Sequence, residues 1–179
     1  MAWTTPRRIV PGEMMVAATL NQYLRDNLAY LWTQEVAIVR RDGAAASHAS
    51  GSEVTIIFDT EEVDTAGMVN IGTQPTRITF TSKGKYMVGG CMAWQANANG
   101  VRNMRIHQVQ VTANLDSTVV RAVDEGFAAA LSIVSDEAAI TADVGDYIYL
   151  SGSHNAGVAL NNAVLTPEYP LLWAARMGI

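Results

Sequence analysis

Thr79-Phe80-Thr81-Ser82-Lys83-Gly84-Lys85-Tyr86-Met87-Val88-Gly89-Gly90-Cys91-Met92-Ala93-Trp94 reads as the end of one strand, a tight turn and a second, long strand. Threonines, apolar residues and aromatics favour a pleated backbone, and Gly84 supplies a turn residue free to take positive φ. After the turn, Tyr86, Val88, Gly90, Met92 and Trp94 share one face. The other carries Lys85, Met87, Gly89, Cys91 and Ala93, so beyond its first lysine it is apolar or small as well. A strand without a polar face has no place on the outside of a monomeric sandwich. One face fills a core; the other needs a second cover.

Outward from this stretch, short apolar runs recur at the spacing of an all-β sandwich. Val54–Phe58, Thr76–Thr81, Val101–Thr112, Thr118–Val123, Phe127–Val134, Ala138–Ala142, Asp146–Leu150 and Val158–Leu165 read as strands, with a closing strand after Pro167 and Pro170. Val101–Thr112 puts Met104 and Ile106 on one face and Arg105 and His107 on the other. Asp59–Gly67, Asn97–Gly100 and Ser151–Gly157 read as exposed loops.

Three pieces resemble the C1q/TNF-like jelly rolls, in order and distance. They are Phe80-Thr81 followed by Gly84, Tyr86 and an apolar run; Gly145-Asp146 followed by Ile148 and Leu150; and the terminal run from Leu171 through Trp173. The resemblance covers roughly residues 52 to 179. It implies a mainly β fold, a jelly-roll sandwich that assembles as a homotrimer with its termini gathered at one end. It also assigns Phe80, Tyr86, Met87, Cys91, Trp94, Tyr147, Tyr149 and Trp173 to a trimer interface or core.

The first residues read differently. Pro6 and Pro11-Gly12 hold 1–13 extended, and Trp3, Ile9 and Val10 suit an arm docked on another protein. From about Val16 to Gln34 a helix is expected, with Leu20, Leu24, Leu28 and Leu31 as one apolar stripe and Asn27 near its seam. Residues 40–52 are small and polar, a linker composition. The expected division is 1–42 arm and helix, 43–52 linker, and 53–179 jelly roll.

Trp3, Pro6-Arg7, Pro11-Gly12-Glu13, Ala17-Ala18, Leu20-Asn21 and Leu24-Arg25-Asp26-Asn27-Leu28 resemble the opening of many tailed-bacteriophage virion proteins. Ile9 stands where a second Trp is common, and Val16-Ala17 where Val-Thr is usual. The resemblance implies a minor tail, tail-fibre, head-fibre or capsid-decoration protein of the virion. Trp3, Pro6, Ile9, Pro11 and the leucine stripe would then anchor it to a phage capsid or tail protein.

Composition excludes other classes. The net charge is −5 with pI near 5.1, and no basic patch with interleaved aromatics occurs, against a nucleic-acid surface. Charge is uneven: residues 1–42 hold Arg7, Arg8, Arg25, Arg40 and Arg41 against Glu13, Asp26, Glu35 and Asp42, a sum of +1, which leaves −6 for the rest. No apolar run reaches the ~20 residues of a membrane span, and no signal-peptide core opens the chain, so synthesis in a cytoplasm is expected, which the phage resemblance implies is that of a bacterial host. The single Cys91 excludes an intrachain disulfide and reads as a small buried hydrophobe.

Catalytic signatures are missing: no G-x-S-x-G, no P-loop and no dinucleotide fingerprint occurs. The acids Asp59, Glu61, Glu62 and Asp64 read as a solvated turn. Calcium is the one ion they suit, without an EF-hand pattern; no cofactor is expected. His48 and His154, in linker and loop, and His107 lack zinc-ligand spacing. The sequence therefore points to a non-enzymatic protein with two leading readings, while an enzyme cleaving host-surface sugar with such carboxylates stands third. In one it is a trimeric structural protein of the virion. In the other it is a tail-fibre module recognising host-surface glycan through Asp59, Glu61, Glu62, Asp64, Asn97, Asn99, His154 and Asn155.

Overall fold

The computed structural model describes residues 14, 16–25, 27–28, 34–43, 45–126, 132–162 and 169–177. Two compact units result, residues 1–34 and 35–177. In the first, Ala17–Leu20 forms a short α-helix (α1) that continues as a π turn over Asn21–Arg25. Val16 caps it without a side-chain bond, and Asn27 Nδ2 donates to the Tyr23 carbonyl at 3.3 Å. Leu20 is half-buried, while Leu24 and Leu28 are 54% and 63% exposed. Trp3, Pro6, Ile9, Pro11 and Leu31 lie outside the described residues.

The second unit is an antiparallel β-sandwich. Its strands in chain order are β1 (Val36–Arg40), β2 (Ser47–His48), β3 (Val54–Thr55), β4 (Thr60–Asp64), β5 (Arg77–Thr79) and β6 (Gly84–Trp94). They continue with β7 (Val101–Gln110), β8 (Leu115–Glu125), β9 (Ser132–Ala142), β10 (Tyr147–His154), β11 (Leu160–Asn161) and β12 (Leu171–Arg176). One sheet runs β4-β1-β12-β6-β9; the other runs β3-β10-β7-β8, with β5 also paired to β10. A two-stranded ribbon, β2 with β11, stands apart from both.

Alternation decides which residues enter the core. Tyr86, Val88, Met92 and Trp94 from β6 meet Met104 and Ile106 from β7, Ile148 and Leu150 from β10, and Leu172 and Ala174 from β12, all fully buried. Ala37 and Val39 contribute from β1 by the same two-residue period.

Several expectations change. The stretch that opens with Thr79 is not a hairpin, because β5 pairs with β10 in one sheet and β6 lies in the other. Gly84 serves through space rather than positive φ: a Cβ there would stand 2.9 Å from Arg176 Nε. The sandwich also starts before residue 53. Val36–Arg40, an apolar run ending in arginine and taken as part of the anchoring segment, is a strand between β4 and β12. Within the expected linker, Ser47–His48 pairs with β11 and His48 is buried. Small residues there fit a tight crossing of the sandwich end as well as they fit a flexible joint. The acidic stretch Thr60–Asp64 is an edge strand, not a loop. Ala138–Ala142 is part of the single 11-residue strand β9.

Asp146 shows how a turn is fixed. Gly145, at φ +88°, reverses the chain in a conformation that only glycine adopts without strain. The buried Asp146 carboxylate then accepts the N–H groups of Val111 at 2.9 Å and Asp143 at 3.0 Å, tying the β7–β8 turn to the start of β10. Asp146→Ala leaves two donors without a partner and is expected to cost about 2–3 kcal/mol, read as a lower urea midpoint at unchanged slope. An unaltered midpoint would refute this role.

Candidate functional site

The face expected to need a cover exists and is wider than the sequence suggested. The outer side of the first sheet is built from registered rows. Val36, Ala175, Met87 and Ala139 lie across β1, β12, β6 and β9; next come Val63, Ile38, Trp173, Gly89 and Glu137. A third row holds Arg40, Leu171, Cys91 and Ser135. Met87, Trp173, Leu171, Ala175, Val36 and Ile38 are half-buried on this outer side.

Gly89 sets the geometry of this face. A Cβ at Gly89 would lie 2.6 Å from the Trp173 ring, so the indole rests flat on bare backbone. Beside it Gly90, Cys91, Ser135, Asp136, Glu137, Leu171 and Trp173 enclose an open groove of about 390 Å³. Cys91 is half-buried rather than a core residue; its thiol donates to the Tyr169 carbonyl at 3.3 Å, and burial pushes its pKa up. That makes it a poor nucleophile. Contiguous apolar area of this kind marks an interaction surface.

The outer face of the second sheet is chemically opposite. Glu53 Oε1 accepts from Ser151 Oγ at 2.6 Å and lies 3.1 Å from His107 Nε2, while its other oxygen pairs with Arg105. His107 Nδ1 stands 3.4 Å from Asp116 Oδ1, and the Tyr149 hydroxyl donates to Asp116 Oδ2 at 2.8 Å. The His107 and Tyr149 rings stack with centroids 4.5 Å apart, and the Arg77 guanidinium lies 4.3 Å from the Tyr147 ring centre. Partial burial works to raise the Glu53 carboxyl; the bonds from Ser151 and His107 and the Arg105 charge outweigh it and hold it low. Burial and the hydroxyl bond to Asp116 push the Tyr149 phenol above its ordinary value of 10.

Ser151, His107 and Asp116 stand in the order of a hydroxyl–imidazole–carboxylate relay, with Ser151 Oγ 3.0 Å from His107 Nε2. Nucleophilic chemistry is nonetheless poorly served. The Ser151 proton goes to Glu53, the residue is buried, and strands pair on both its sides, so neighbouring backbone N–H groups are committed to ladders rather than to an oxyanion. The network is a closed charge lattice.

The expected interface-or-core set thus divides three ways. Phe80, Tyr86 and Trp94 are core; Met87, Cys91 and Trp173 line the outer face of the first sheet; Tyr147 and Tyr149 line the outer face of the second. The expected recognition residues do not converge. Asp59 is held by the N–H groups of Asp42 and Gly43 at 2.7 and 2.8 Å, and its pKa falls because these and Thr60 outweigh its partial burial. Asp64 accepts the N–H groups of Ala66, Met68 and Val69, and Glu62 lies 3.4 Å from Arg40. Each acid is thus tied to its own local partner, apart from the exposed Glu61. Among the described residues, no group of three or more acids, histidines or cysteines is placed to hold a metal.

Asn99 and Asn155 are exposed and Asn97 is half-buried. The Asn155 side chain is engaged with the Val101 N–H at 2.6 Å. His154, expected on a solvent loop, is a core residue near the end of β10. Sequence reading missed the charge lattice, although Tyr147, Tyr149 and Ser151 at two-residue spacing opposite Arg105 and His107 carried its signal.

No protein-family model matches the chain, and no curated protein sequence matches it. Solved structures do. Murine APRIL at pH 5.0 superposes with a TM-score of 0.63 at 10% identity, over 80% of this chain and 99% of that one. Eiger TNF from S. frugiperda gives 0.58 at 11%, over 82% and 94%, and the globular domain of zebrafish complement 1qA gives 0.52 at 14%, over 81% and 97%. The fold is the C1q/TNF-like jelly-roll sandwich.

The Tyr149 phenol should remain un-ionised above pH 10, as phenolate absorbance would show. Tyr149→Phe should remove this late titration, and Asp116→Asn should bring it closer to the ordinary range. With the folded pKa raised, the stabilisation is fully present below about pH 10 and is lost as pH rises through the folded value. An identical titration in wild type and Asp116→Asn would overturn the assignment.

Proposed function

We propose that this chain is a non-enzymatic structural protein of a tailed-phage virion, made in the host bacterial cytoplasm. On this reading it is a head decoration or fibre whose jelly roll self-associates as a trimer while the N-terminal segment attaches it to a capsid or tail protein. The observation that carries the self-association is the apolar outer face of β1, β12 and β6, centred on Trp173 over Gly89. A second copy offers the same chemistry, and closed symmetry lets three copies cover one another's faces. Domains of this fold typically form homotrimers, which supports the count of three. The virion assignment is supported by the sequence from Trp3 to Leu28 and by the exposed Leu24 and Leu28 beside it.

Met87→Glu tests the interface. An apolar side chain buried there contributes about 1.5–3 kcal/mol, so association should weaken roughly 10- to 150-fold per interface. Sedimentation of the full chain at micromolar concentration should show a trimer that the variant loses while keeping its far-ultraviolet spectrum. A monomeric wild type would sink the self-association. Immunogold labelling of intact particles with antibody to residues 53–179 tests the location: label on the capsid or tail is expected, and none anywhere would overturn the virion reading.

A second reading, a tail-fibre module that binds host glycan, has one observation in its favour. Tyr147 and Tyr149 stand half-exposed on the second sheet beside Arg77 and Arg105, a mixture of ring faces and charged donors that suits sugars. Saturable binding on a glycan array that Tyr147→Ala abolishes would move this reading ahead of a purely structural one.

A further inference from the structure

At one end of the sandwich the core stops being apolar. The Trp94 ring lies between two buried imidazoles, His48 and His154, each edge-on at a centroid distance of 5.2 Å with interplanar angles of 69° and 71°. Both histidines are nearly inaccessible, at 1% and 2% exposure. They belong to different parts of the fold: His48 sits in the β2–β11 ribbon, Trp94 ends β6, and His154 ends β10.

The hydrogen bonds specify neutral rings. His154 Nδ1 accepts the Ala156 N–H at 3.4 Å, and its Nε2 donates to the His48 carbonyl at 2.9 Å. His48 Nε2 donates to Asn162 Oδ1 at 3.3 Å, an oxygen that also accepts the Ala46 N–H at 2.7 Å. Among the described residues, His48 Nδ1 is buried with no partner, as are Trp94 Nε1 and Asn162 Nδ2. A proton on His48 Nδ1 would be a buried N–H without an acceptor.

The charged surroundings make a proton costlier still. Arg41 precedes β2, and Arg102 enters from β7, where it pairs with His154 across the ladder and is 0% exposed. Its guanidinium donates to the carbonyls of Asn97 and Asn99 at 2.9 Å, and Asp124 on β8 is the charge that acts on it. β6 and the residue after β11 bring Trp94 and Asn162, which carry no charge. No carboxylate hydrogen-bonds either imidazole or the guanidinium among the described residues.

We propose that His48, Trp94 and His154 form an acid-operated latch, which holds the β2–β11 ribbon and the 154–162 segment on the end of the sandwich and releases them when His48 gains a proton. What is held is specific. Asn162 bridges to Trp94 and its N–H donates to the Ala46 carbonyl at 3.0 Å; Gly51 donates to the His154 carbonyl at 2.7 Å, and Gly157 to Ser50 Oγ at 3.0 Å. The two large sheets hydrogen-bond independently of these contacts. The release therefore opens the loop end and leaves the apolar outer face standing.

The sign follows from burial, which is the largest influence on His48 and lowers its pKa, with the Arg41 charge adding to it against the bond to Asn162. A lowered folded pKa means that the latch's stabilisation is fully present above about pH 6.5 and is lost as pH falls through the folded value.

Hydrogen exchange of the full chain, corrected for the intrinsic effect of pH, tests the latch. Between about pH 7.5 and 5.0, amides of 46–52 and 154–162 should lose roughly tenfold or more protection, while those of 86–92 and 172–175 keep theirs. Unchanged protection at 46–52, or equal loss in both sheets, would overturn the proposal. In His48→Gln the ratio between the two pH values should flatten to within about twofold; a full acid response in that variant would show that His48 is not the trigger. Should the variant fail to fold, the wild-type His48 ring resonance decides. A midpoint below about 6.5 that coincides with the loss of protection supports the latch, and a midpoint at or above it refutes it.

Discussion

Strand β6 is hydrogen-bonded along its length to β9 and over much of it to β12, and the order of the first sheet follows from that sandwiching. A central strand can be gripped on both edges only if its side chains permit the neighbours to approach. Gly90 faces the core where a Cβ would meet the Leu171 carbonyl at 2.8 Å, and Gly89 faces outward under Trp173. Two adjacent glycines in a strand interior lose conformational entropy and packing surface. Here they permit the close approach of β12, which in turn carries β1 and β4. The same pair of residues thus seats half of one sheet and places the largest aromatic of the outer face.

Much of this was legible. The two-residue period of Tyr86 through Trp94 gave the core face correctly, and the apolar Met87 and Cys91 gave the outer one. What alternation does not encode is which strands pair. Phe80 and Tyr86 touch, ring centres 4.4 Å apart, yet β5 and β6 sit in opposite sheets, because a jelly roll crosses between sheets where a local reading expects a hairpin. The boundary slipped for a related reason. Val36–Arg40 is too short to declare a period, and its partners lie at Leu171–Ala175, far along the chain.

The functional residues were harder to read than the fold. Isolated histidines look exposed when their neighbours are Ala, Ser, Gly and Asn, and both His48 and His154 have such neighbours. Burial comes to them from Trp94 and Asn162, residues distant in the chain. The acids Asp59, Glu62 and Asp64 misled in the opposite sense. Close in sequence, at and along an edge strand, they are consumed by separate local partners, so density in the chain did not become density in space.

The two outer faces differ in what it costs to cover them. On the second sheet Glu53 already pairs with Arg105, and Ser151, His107 and Tyr149 already occupy the carboxylates of Glu53 and Asp116. A partner there would have to strip water from several charges whose attractions are spent within the chain, and desolvation of that kind is returned only by well-matched new hydrogen bonds. On the first sheet the groups at the centre are Met87, Trp173, Ile38, Leu171 and bare glycine backbone, and removing water from them is favourable at about 25 cal/mol per Å2. Arg40, Asp136 and Glu137 lie towards the margins of that face, where charge orients a contact without being buried beneath it. The asymmetry starts in the sequence, with a strand that has no polar side, and ends in two outer faces that differ in the cost of removing their water.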